Sequence, residues 1–341
     1  MEPSKIETLN SVVESLAGED DSLAASGSAS QERAAASLKE TAQARAVHAF
    51  SSAMERGSWG TCRRTGARLG LLFYYGVRKR REIAVANVRL AFPDIGETRA
   101  NQIARRSMQN FGMTFCEFLR LRTASAREVR EHVDIDGLEY VEAAFAQGRG
   151  ALLLTGHFGN WELMGARLVQ EFPVTAMSRP SSNTVVQNHL AAIREALGIN
   201  VISKFDTARA ALKVLRAKRA LAIFVDHWGG YHEPLLPMFG HPTRCVTAVA
   251  RLSLMARAPI IAGFGIRRTP WLADGRIIAR GFPAFEVADA GIRDAGAREA
   301  AVLEGTLRGI QHIEAMVRQY PDQWLWLHRR WRPEDMAASR E

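Results

Sequence analysis

A histidine and a glutamate stand five positions apart in the stretch GRGALLLTGHFGNWELMGARL at 148–168, directly after an apolar run. His157 precedes the part with a helical pattern, and Glu162 falls in its first turn. A carboxylate bonded to one imidazole nitrogen fixes the tautomer and raises the basicity of the other nitrogen. The spacing therefore predicts a general base, His157, with Glu162 as its partner, acting on a substrate hydroxyl. The alternative is two polar residues at an ordinary turn.

The turn between His157 and that helix has small residues suited to holding an anion. Glycines 156 and 159 let a substrate approach the backbone amides, and a helix N-terminus stabilises negative charge that develops beside it. We therefore assign Gly159 and Asn160 to substrate binding, because we expect this turn to face the oxygen on which the reaction builds up charge.

Short apolar runs alternate with helical patterns from residue 150 onward. Repeated units of this kind are typical of a parallel sheet with helices on its faces. The predicted fold class is α/β, with a central, mostly parallel sheet flanked by helices and a helical N-terminal region. Helices are expected from about residue 160 and at 183–197, 206–217 and 294–319. Strands are expected at 151–155, 174–177, 199–203, 220–226, 259–266 and 275–282, with an antiparallel arrangement open for the last two.

Three polar side chains follow strands of this predicted sheet. His157 lies two residues past the first strand, Arg179 two past the second, and Asp226 closes the apolar run 221–225. Ligands of open α/β sheets sit beyond the carboxyl ends of the strands, so we expect the three side chains at one edge. A structural cap at Asp226 and a surface ion pair at Arg179 remain the alternatives.

Composition divides the chain into four parts. Residues 1–31 have few large apolar side chains and are interpreted as a disordered polar tail, because burial cannot offset their chain entropy. Residues 32–145 are expected to form the helical N-terminal region, 146–333 the α/β core, and 334–341 a short tail. The N-terminus has no basic segment followed by an apolar one, which argues against a secretory signal.

One segment of the helical region, about 60–81, has the composition of a membrane interface. Residues 56–81 contain eight basic and no acidic side chains around the apolar run Leu69–Val77. That run is far shorter than the ~20 residues needed to span a bilayer. It suits a segment lying in an anionic interface, and a core helix with solvated ends is the alternative.

The overall charge and the cysteines narrow the class of protein. The net charge is +9, while residues 1–60 carry nine acidic and five basic side chains, so the body of the chain is strongly basic. This favours an anionic partner: a membrane surface, a nucleic acid or an acidic carrier protein. The three cysteines are widely spaced and suggest a reducing compartment. We find no metal-binding spacing and no glycine-rich nucleotide loop.

The C-terminal block YPDQWLWLHRRWRP interleaves tryptophans with basic residues. Trp324, Trp326 and Trp331 suit three environments: a lipid interface, the protein core beside a solvated basic face, or stacking on nucleic-acid bases. The sequence alone leaves these open.

The stretch TGHFGNWEL resembles the His-x4-acid block of glycerolipid-type acyltransferases, in the version carried by the late (lauroyl/myristoyl-type) lipid A biosynthesis acyltransferases. Further segments are similar to that family in the same order, over about residues 65–333: NVRLAFPD, SRPSSN, ALAIFVDHWGG, MFGHPTRCVTAVARLSLMARAPII and YPDQWLWLHRRWRP. Six ordered blocks are far more specific than one motif.

The resemblance implies roles for individual residues. His157 would be the general base and Glu162 its partner. Arg179 would hold an anionic group with Asn183 close by, and Asp226 would be the acidic substrate-binding position at a strand end. The chain departs from the family in having His227 after that aspartate, where glutamine is common.

The resemblance also implies a reaction and partners. The expected activity is transfer of a fatty acyl chain from acyl carrier protein or acyl-CoA to a hydroxyl of an anionic glycolipid such as a lipid A precursor, with no metal and no cofactor beyond this co-substrate. Acylation of another polar lipid, of the phosphatidylinositol mannoside or lysophospholipid type, and a non-catalytic lipid-binding relative are the alternatives. The expected location is the cytoplasmic face of a bacterial inner membrane, with peripheral or monotopic attachment to the membrane surface and no nucleic-acid partner.

Overall fold

The computed structural model describes residues 45, 47–178, 184–203, 208–287 and 294–338, without the side chains of 184–186. The predicted tail at 1–31, together with Arg179 and Asn183, lies outside these residues. After a helical segment at 47–56, the helices in chain order are α1 (Trp59–Gly76), α2 (Arg78–Ala91), α3 (Glu97–Leu121), α4 (Ala126–His132), α5 (Leu138–Ala146), α6 (Trp161–Leu168), α7 (Thr184–Ala196), α8 (Ala208–Arg216), α9 (Ala248–Ala256), α10 (Ala295–Gln319) and α11 (Pro333–Ala338).

The described strands form one large sheet and one hairpin. The strands are β1 (Val133–Asp136), β2 (Ala151–Thr155), β3 (Val174–Ser178), β4 (Asn200–Ser203), β5 (Ala220–Phe224), β6 (Leu235–Met238), β7 (His241–Arg244), β8 (Ile260–Arg267) and β9 (Ile277–Gly281). The seven-stranded sheet has the order β1-β9-β8-β2-β5-β3-β4, and β6 pairs with β7 separately. Neighbours in the large sheet are parallel except for the antiparallel pair β8–β9.

This architecture confirms the predicted α/β class, with its mostly parallel sheet, flanking helices and helical N-terminal region. The central strand β2 reads ALLLT and is buried along its whole length, as expected for a strand covered on both faces. The antiparallel pairing that the sequence left open belongs to β8 and β9.

Close contact between two glycine-containing helices builds the N-terminal region. On α1, a Cβ added at Gly66 would collide with the carbonyl oxygen of Gly112 on α3, and one at Gly70 would collide with that of Met108. These glycines let α1 lie directly on the backbone of α3. Helix α3 in turn packs against α6, the helix that follows His157.

Two elements fall where the sequence analysis did not place them. Strand β1 lies in the segment interpreted as helical, and it extends the sheet by pairing with β9. The segment interpreted as a C-terminal tail is helical as far as Ala338, and its Asp335 is buried and accepts a hydrogen bond from Trp228 Nε1 at 2.7 Å.

The C-terminal tryptophans belong to the core. Trp324, Trp326 and Trp331 are all buried, so the protein core is the one of the three open environments that the structure shows. The chain crosses the sheet edge here, with the amide of Leu325 donating to the carbonyl oxygen of His157 at 3.0 Å. Among the described helices, none combines the length and the hydropathy that crossing a bilayer requires.

Candidate active site

His157 is held by a carboxylate from a neighbouring strand. Its Nδ1 lies 3.0 Å from Asp226 Oδ1, and its backbone amide donates to Asp226 Oδ2 at 2.7 Å. The two residues are 69 positions apart in the chain, but β2 and β5 are adjacent and parallel, so both residues leave the sheet at the same edge. An ionised carboxylate only accepts hydrogen bonds, which places the proton on Nδ1 and makes Nε2 the basic nitrogen.

Asp226 is fully buried and remains ionised. A third N–H reaches it from Trp324, whose Nε1 donates to Oδ2 at 2.9 Å. Burial acts to raise the pKa of this carboxyl, but attraction to His157, the His157 hydrogen bonds and attraction to His328 outweigh burial and bring the pKa well below its usual value. Substrate binding was predicted for Asp226. In the structure its side chain has no exposed surface, and its carboxylate accepts hydrogen bonds from His157 and Trp324.

Glu162 does not occupy the position expected of it. Its Oε1 pairs with Arg194 Nη2 of α7 at 2.5 Å, while Asp226 takes the imidazole Nδ1. The expected hydrogen bond between Glu162 and His157 is therefore replaced by two separate pairs. The reason is topological: a carboxylate from the adjacent strand reaches the ring along the sheet edge, whereas Glu162 on α6 faces α7.

The turn after β2 lets the Asp226 carboxyl group lie close to the backbone, and its amides are not arranged to bind an anion. A Cβ at Gly156 would lie 3.0 Å from the Asp226 carboxyl group, so glycine makes room for that group. The amides of His157, Phe158, Gly159 and Asn160 all donate to acceptors within the protein. These four amide N–H groups therefore already have acceptors within the protein, whereas they were expected to face an oxyanion.

Gly159 and Asn160 connect this turn to a buried polar network. Gly159 has a φ of +54°, and a Cβ there would collide with the carbonyl oxygen of Gly265. The Asn160 side chain caps α6 by accepting from the amide of Leu163 and donates to Glu117 Oε2 at 2.7 Å. Both residues thereby position the His157 turn, and their contact with substrate stays a prediction.

Glu117 anchors that network through an ion pair that is entirely buried. Its carboxylate receives Arg267 Nη2 at 2.7 Å and Nη1 at 3.1 Å, and neither side chain is exposed. Asn110 and Thr114 on the same helix donate to the carbonyl oxygen of Gly159 at 3.0 and 2.8 Å. Helix α3 therefore fixes the turn on which His157 sits.

A mainly apolar cavity of about 440 Å³ lies beside His157. Its floor comes mainly from one face of the sheet, to which β2 contributes Leu153 and Thr155, and its roof comes from α6 and α7. The floor residues include Leu153, Thr155, Ala176, Ala222, Phe224, Ile261 and Gly263, and the roof includes Trp161, Glu162, Met164, Gly165, Leu190 and Arg194. Such a space suits a flexible hydrocarbon chain, although polar side chains such as Ser178, Gln187 and Arg280 also belong to its lining.

The pairing of Asp226 with His157, and the presence of Trp324 and Arg194 in the site, were not predicted from the sequence. Asp226 was singled out, but its pairing with His157 depends on which strands are neighbours, and chain order does not show that β2 lies between β5 and β8. Trp324 and Arg194 reach the site from 98 and 32 residues away from their partners. The one available signal was that Asp226 closes a buried strand.

Fold and site together define a class of enzyme. A basic imidazole at the carboxyl edge of a parallel sheet, opening onto an apolar cavity, is an arrangement for moving a group on or off a molecule with a long apolar part.

Comparison with known proteins identifies the family within this class. Residues 58–333 match the family described as bacterial lipid A biosynthesis acyltransferase. The chain belongs to this family, and it is a lipid acyltransferase that transfers acyl groups other than aminoacyl groups.

Three relatives with different named activities are similar to the chain. A phosphatidylinositol mannoside acyltransferase of Mycobacterium tuberculosis is 28% identical over 242 residues, which cover 69% of this chain and 71% of the relative. The lipid A biosynthesis lauroyltransferase of Escherichia coli is 24% identical over 282 residues, covering 81% and 87%. The lipid A biosynthesis palmitoleoyltransferase of the same organism is 23% identical over 286 residues, covering 80% and 86%.

Proposed function

We propose that this acyltransferase moves a fatty acyl chain from acyl carrier protein or acyl-CoA to a hydroxyl of a glycolipid such as a lipid A precursor. The observation that carries the proposal is the His157–Asp226 pair at the wall of the apolar cavity. The cavity accommodates the acyl chain, and its His157 end receives the thioester carbon and the acceptor hydroxyl.

The reaction then follows from the tautomer. Nε2 of His157 takes the proton from the acceptor hydroxyl as its oxygen attacks the thioester carbonyl. The C–S bond breaks when the tetrahedral intermediate collapses, and the imidazolium returns the proton to the leaving thiolate. Asp226 stabilises the transient positive charge on the ring and keeps Nε2 as the base. Because the acceptor attacks directly, no residue of the protein has to be acylated.

Glu162 has a different role in this proposal. Its ion pair with Arg194 joins α6 to α7, and both charged side chains line the cavity. We assign the anion-holding role to Arg179 with Asn183 on the resemblance alone. Substitution of each by alanine, with the Michaelis constant for the acceptor as readout, tests that assignment.

Transfer to a mannose hydroxyl of a phosphoinositide is a second candidate reaction. It is favoured by the mycobacterial relatives, which are named phosphatidylinositol mannoside acyltransferases and are up to 28% identical to this chain. Both reactions use the same base and the same acyl cavity, and they differ in the headgroup presented to the His157 end.

Peripheral or monotopic attachment to the cytoplasmic face of a bacterial inner membrane fits this chemistry, because both substrates carry long acyl chains. On α1, Leu72 and Tyr75 are 41% and 61% exposed, and the neighbouring Lys79 is exposed as well. Sedimentation with anionic vesicles tests this attachment; the double substitution Leu72→Ser, Tyr75→Ser is expected to leave the protein in the supernatant.

The proposed activity is tested with purified protein and a labelled acyl thioester. Lipid A precursor, phosphatidylinositol mannoside and lysophospholipid are offered separately, and the products are weighed by mass spectrometry. Wild-type protein is expected to acylate one of the two glycolipids, and His157→Ala is expected to acylate none. Transfer that is unchanged in His157→Ala would remove the base from the proposal, and acylation of lysophospholipid alone would remove the glycolipid acceptor.

A further inference from the structure

Two glycines of the cavity wall stand where glycine weakens the surrounding element. Gly165 lies inside α6 and Gly263 inside β8. Glycine in a helix or strand interior adds conformational entropy to the unfolded chain and contributes no side-chain packing. Neither residue adopts the positive φ seen at Gly137 and Gly240, so the backbone does not require glycine at either position.

Packing does not require glycine at these two positions either. A Cβ at Gly165 would meet nothing closer than Ile199 Cδ1 at 3.8 Å, and one at Gly263 nothing closer than the carbonyl oxygen of Arg280 at 3.7 Å. These are ordinary van der Waals distances. Other glycines of the same cavity differ sharply, since a Cβ would come within 2.6 Å of backbone at Gly137 and 2.9 Å of a side chain at Gly229.

Both glycines line the cavity, Gly165 in the roof and Gly263 in the floor. Gly263 is partly exposed although its neighbours Ala262 and Phe264 have no exposed surface, because the cavity opens onto it. A side chain at either position would therefore extend into the space assigned to the acyl chain.

We propose that Gly165 and Gly263 determine acyl specificity by keeping the cavity wide enough for a long chain. This inference rests on the proposed function, in which the cavity holds the acyl group. An added side chain at either position occupies volume that the terminal methylenes of a long acyl chain need, and it leaves shorter chains unaffected. Glycine at these two positions weakens α6 and β8 locally and leaves room in the cavity for a long acyl chain.

The test uses graded substitutions that suit each element. Gly165→Ala and Gly165→Leu introduce good helix formers, and Gly263→Ala and Gly263→Val introduce residues better suited to a strand than glycine. Initial rates are measured with acyl thioesters of increasing chain length at a fixed acceptor concentration. With the larger substitutions, the rate on the longest donor that wild-type protein uses is expected to fall about tenfold or more relative to a short donor, the discrimination a hydrophobic pocket achieves on about one methylene.

Gly96→Ala is the matched control. Gly96 is exposed, has a φ of −66°, and has nothing within 4 Å of an added Cβ, so the chain-length profile should stay as in wild type. The four cavity variants should melt at or above the wild-type temperature, because alanine, leucine and valine suit their elements better than glycine.

Two results would overturn the inference: an unchanged chain-length profile in folded Gly165→Leu and Gly263→Val, or an equal loss of rate at every length. Binding of free fatty acids of graded length, measured by calorimetry, gives a second readout that does not need turnover. If wild-type protein transferred no acyl group, the proposed function would fail, while loss of long-chain binding in the two variants would still support the role of the glycines.

Discussion

Replacing Asp226 by asparagine changes the tautomer of His157 while preserving the shape of the site. Oδ2 of Asp226 accepts two N–H groups, from the His157 backbone and from Trp324. The amide oxygen of the introduced asparagine would have to take that position, because an NH2 group there would face two donors. The NH2 group then points at Nδ1 of His157, which must become an acceptor, so the ring proton moves to Nε2.

A ring protonated on Nε2 cannot take the proton of the acceptor hydroxyl. General-base catalysis contributes about 10²–10⁴-fold, so Asp226→Asn is expected to lower kcat/KM by that factor, or roughly 2.7–5.4 kcal/mol of transition-state stabilisation. Glu162→Gln removes the ion pair with Arg194 and leaves the hydrogen bond between His157 and Asp226 in place, so it is expected to cost less than about tenfold because the base and its tautomer stay intact.

The assay is acyl transfer at saturating thioester, with circular dichroism to establish that both variants are folded. The decisive quantity is the ratio of the two losses in kcat/KM, because it compares the carboxylates of Asp226 and Glu162 in one protein. Retention of activity within about tenfold in Asp226→Asn, together with near-complete loss in Glu162→Gln, would refute the reasoning and restore Glu162 as the partner of His157.

Three further results are expected. Glu117→Gln leaves the Arg267 guanidinium buried without its counter-charge and should lower the free energy of unfolding by about 3–5 kcal/mol in urea titrations, whereas an effect below ~1 kcal/mol would contradict the described burial. Gly159→Ala forces a Cβ against the carbonyl oxygen of Gly265 and should destabilise the protein by more than ~1 kcal/mol, with activity falling as the His157 turn shifts; a melting temperature equal to wild type would count against this. The folded-state pKa of Asp226 lies below its unfolded value. The stabilisation from this carboxylate should therefore be fully present above about pH 4 and be lost as the pH falls toward the folded pKa. The difference in melting temperature between wild type and Asp226→Asn should accordingly narrow in acid and stay constant at pH 6–8.

The elements of the sheet were predictable because each strand is a short apolar run between turn residues. The run ALLLT at 151–155 and the helix at 295–319 stand within a residue or two of their expected limits. Strand β1 escaped prediction because VDID is short and half polar, and it is stabilised as a strand by pairing with β9 rather than by its own composition. The β6–β7 hairpin, which contains two prolines, has no alternating pattern that would mark it.

The place of His157 at the sheet edge was predictable from the sequence, and the carboxylate that hydrogen-bonds to it was not. His157 follows a buried strand, and that position is visible in the sequence. The choice between Asp226 and Glu162 depends on strand order and on the direction in which α6 faces, and both are set by contacts between residues far apart in the chain. Local spacing favours a neighbour five positions away, whereas the sheet places a residue 69 positions away against the ring.

The tautomer of His157 tests the central claim most directly. Nitrogen-15 NMR of labelled protein at neutral pH resolves which ring nitrogen carries the proton, and the signal that is missing in His157→Gln identifies this residue among the nine histidines of the chain. The account predicts a proton on Nδ1 and a basic Nε2 in wild-type protein, and the reverse in Asp226→Asn. A proton on Nε2 in wild-type protein, or a spectrum that Asp226→Asn leaves unchanged, would contradict it.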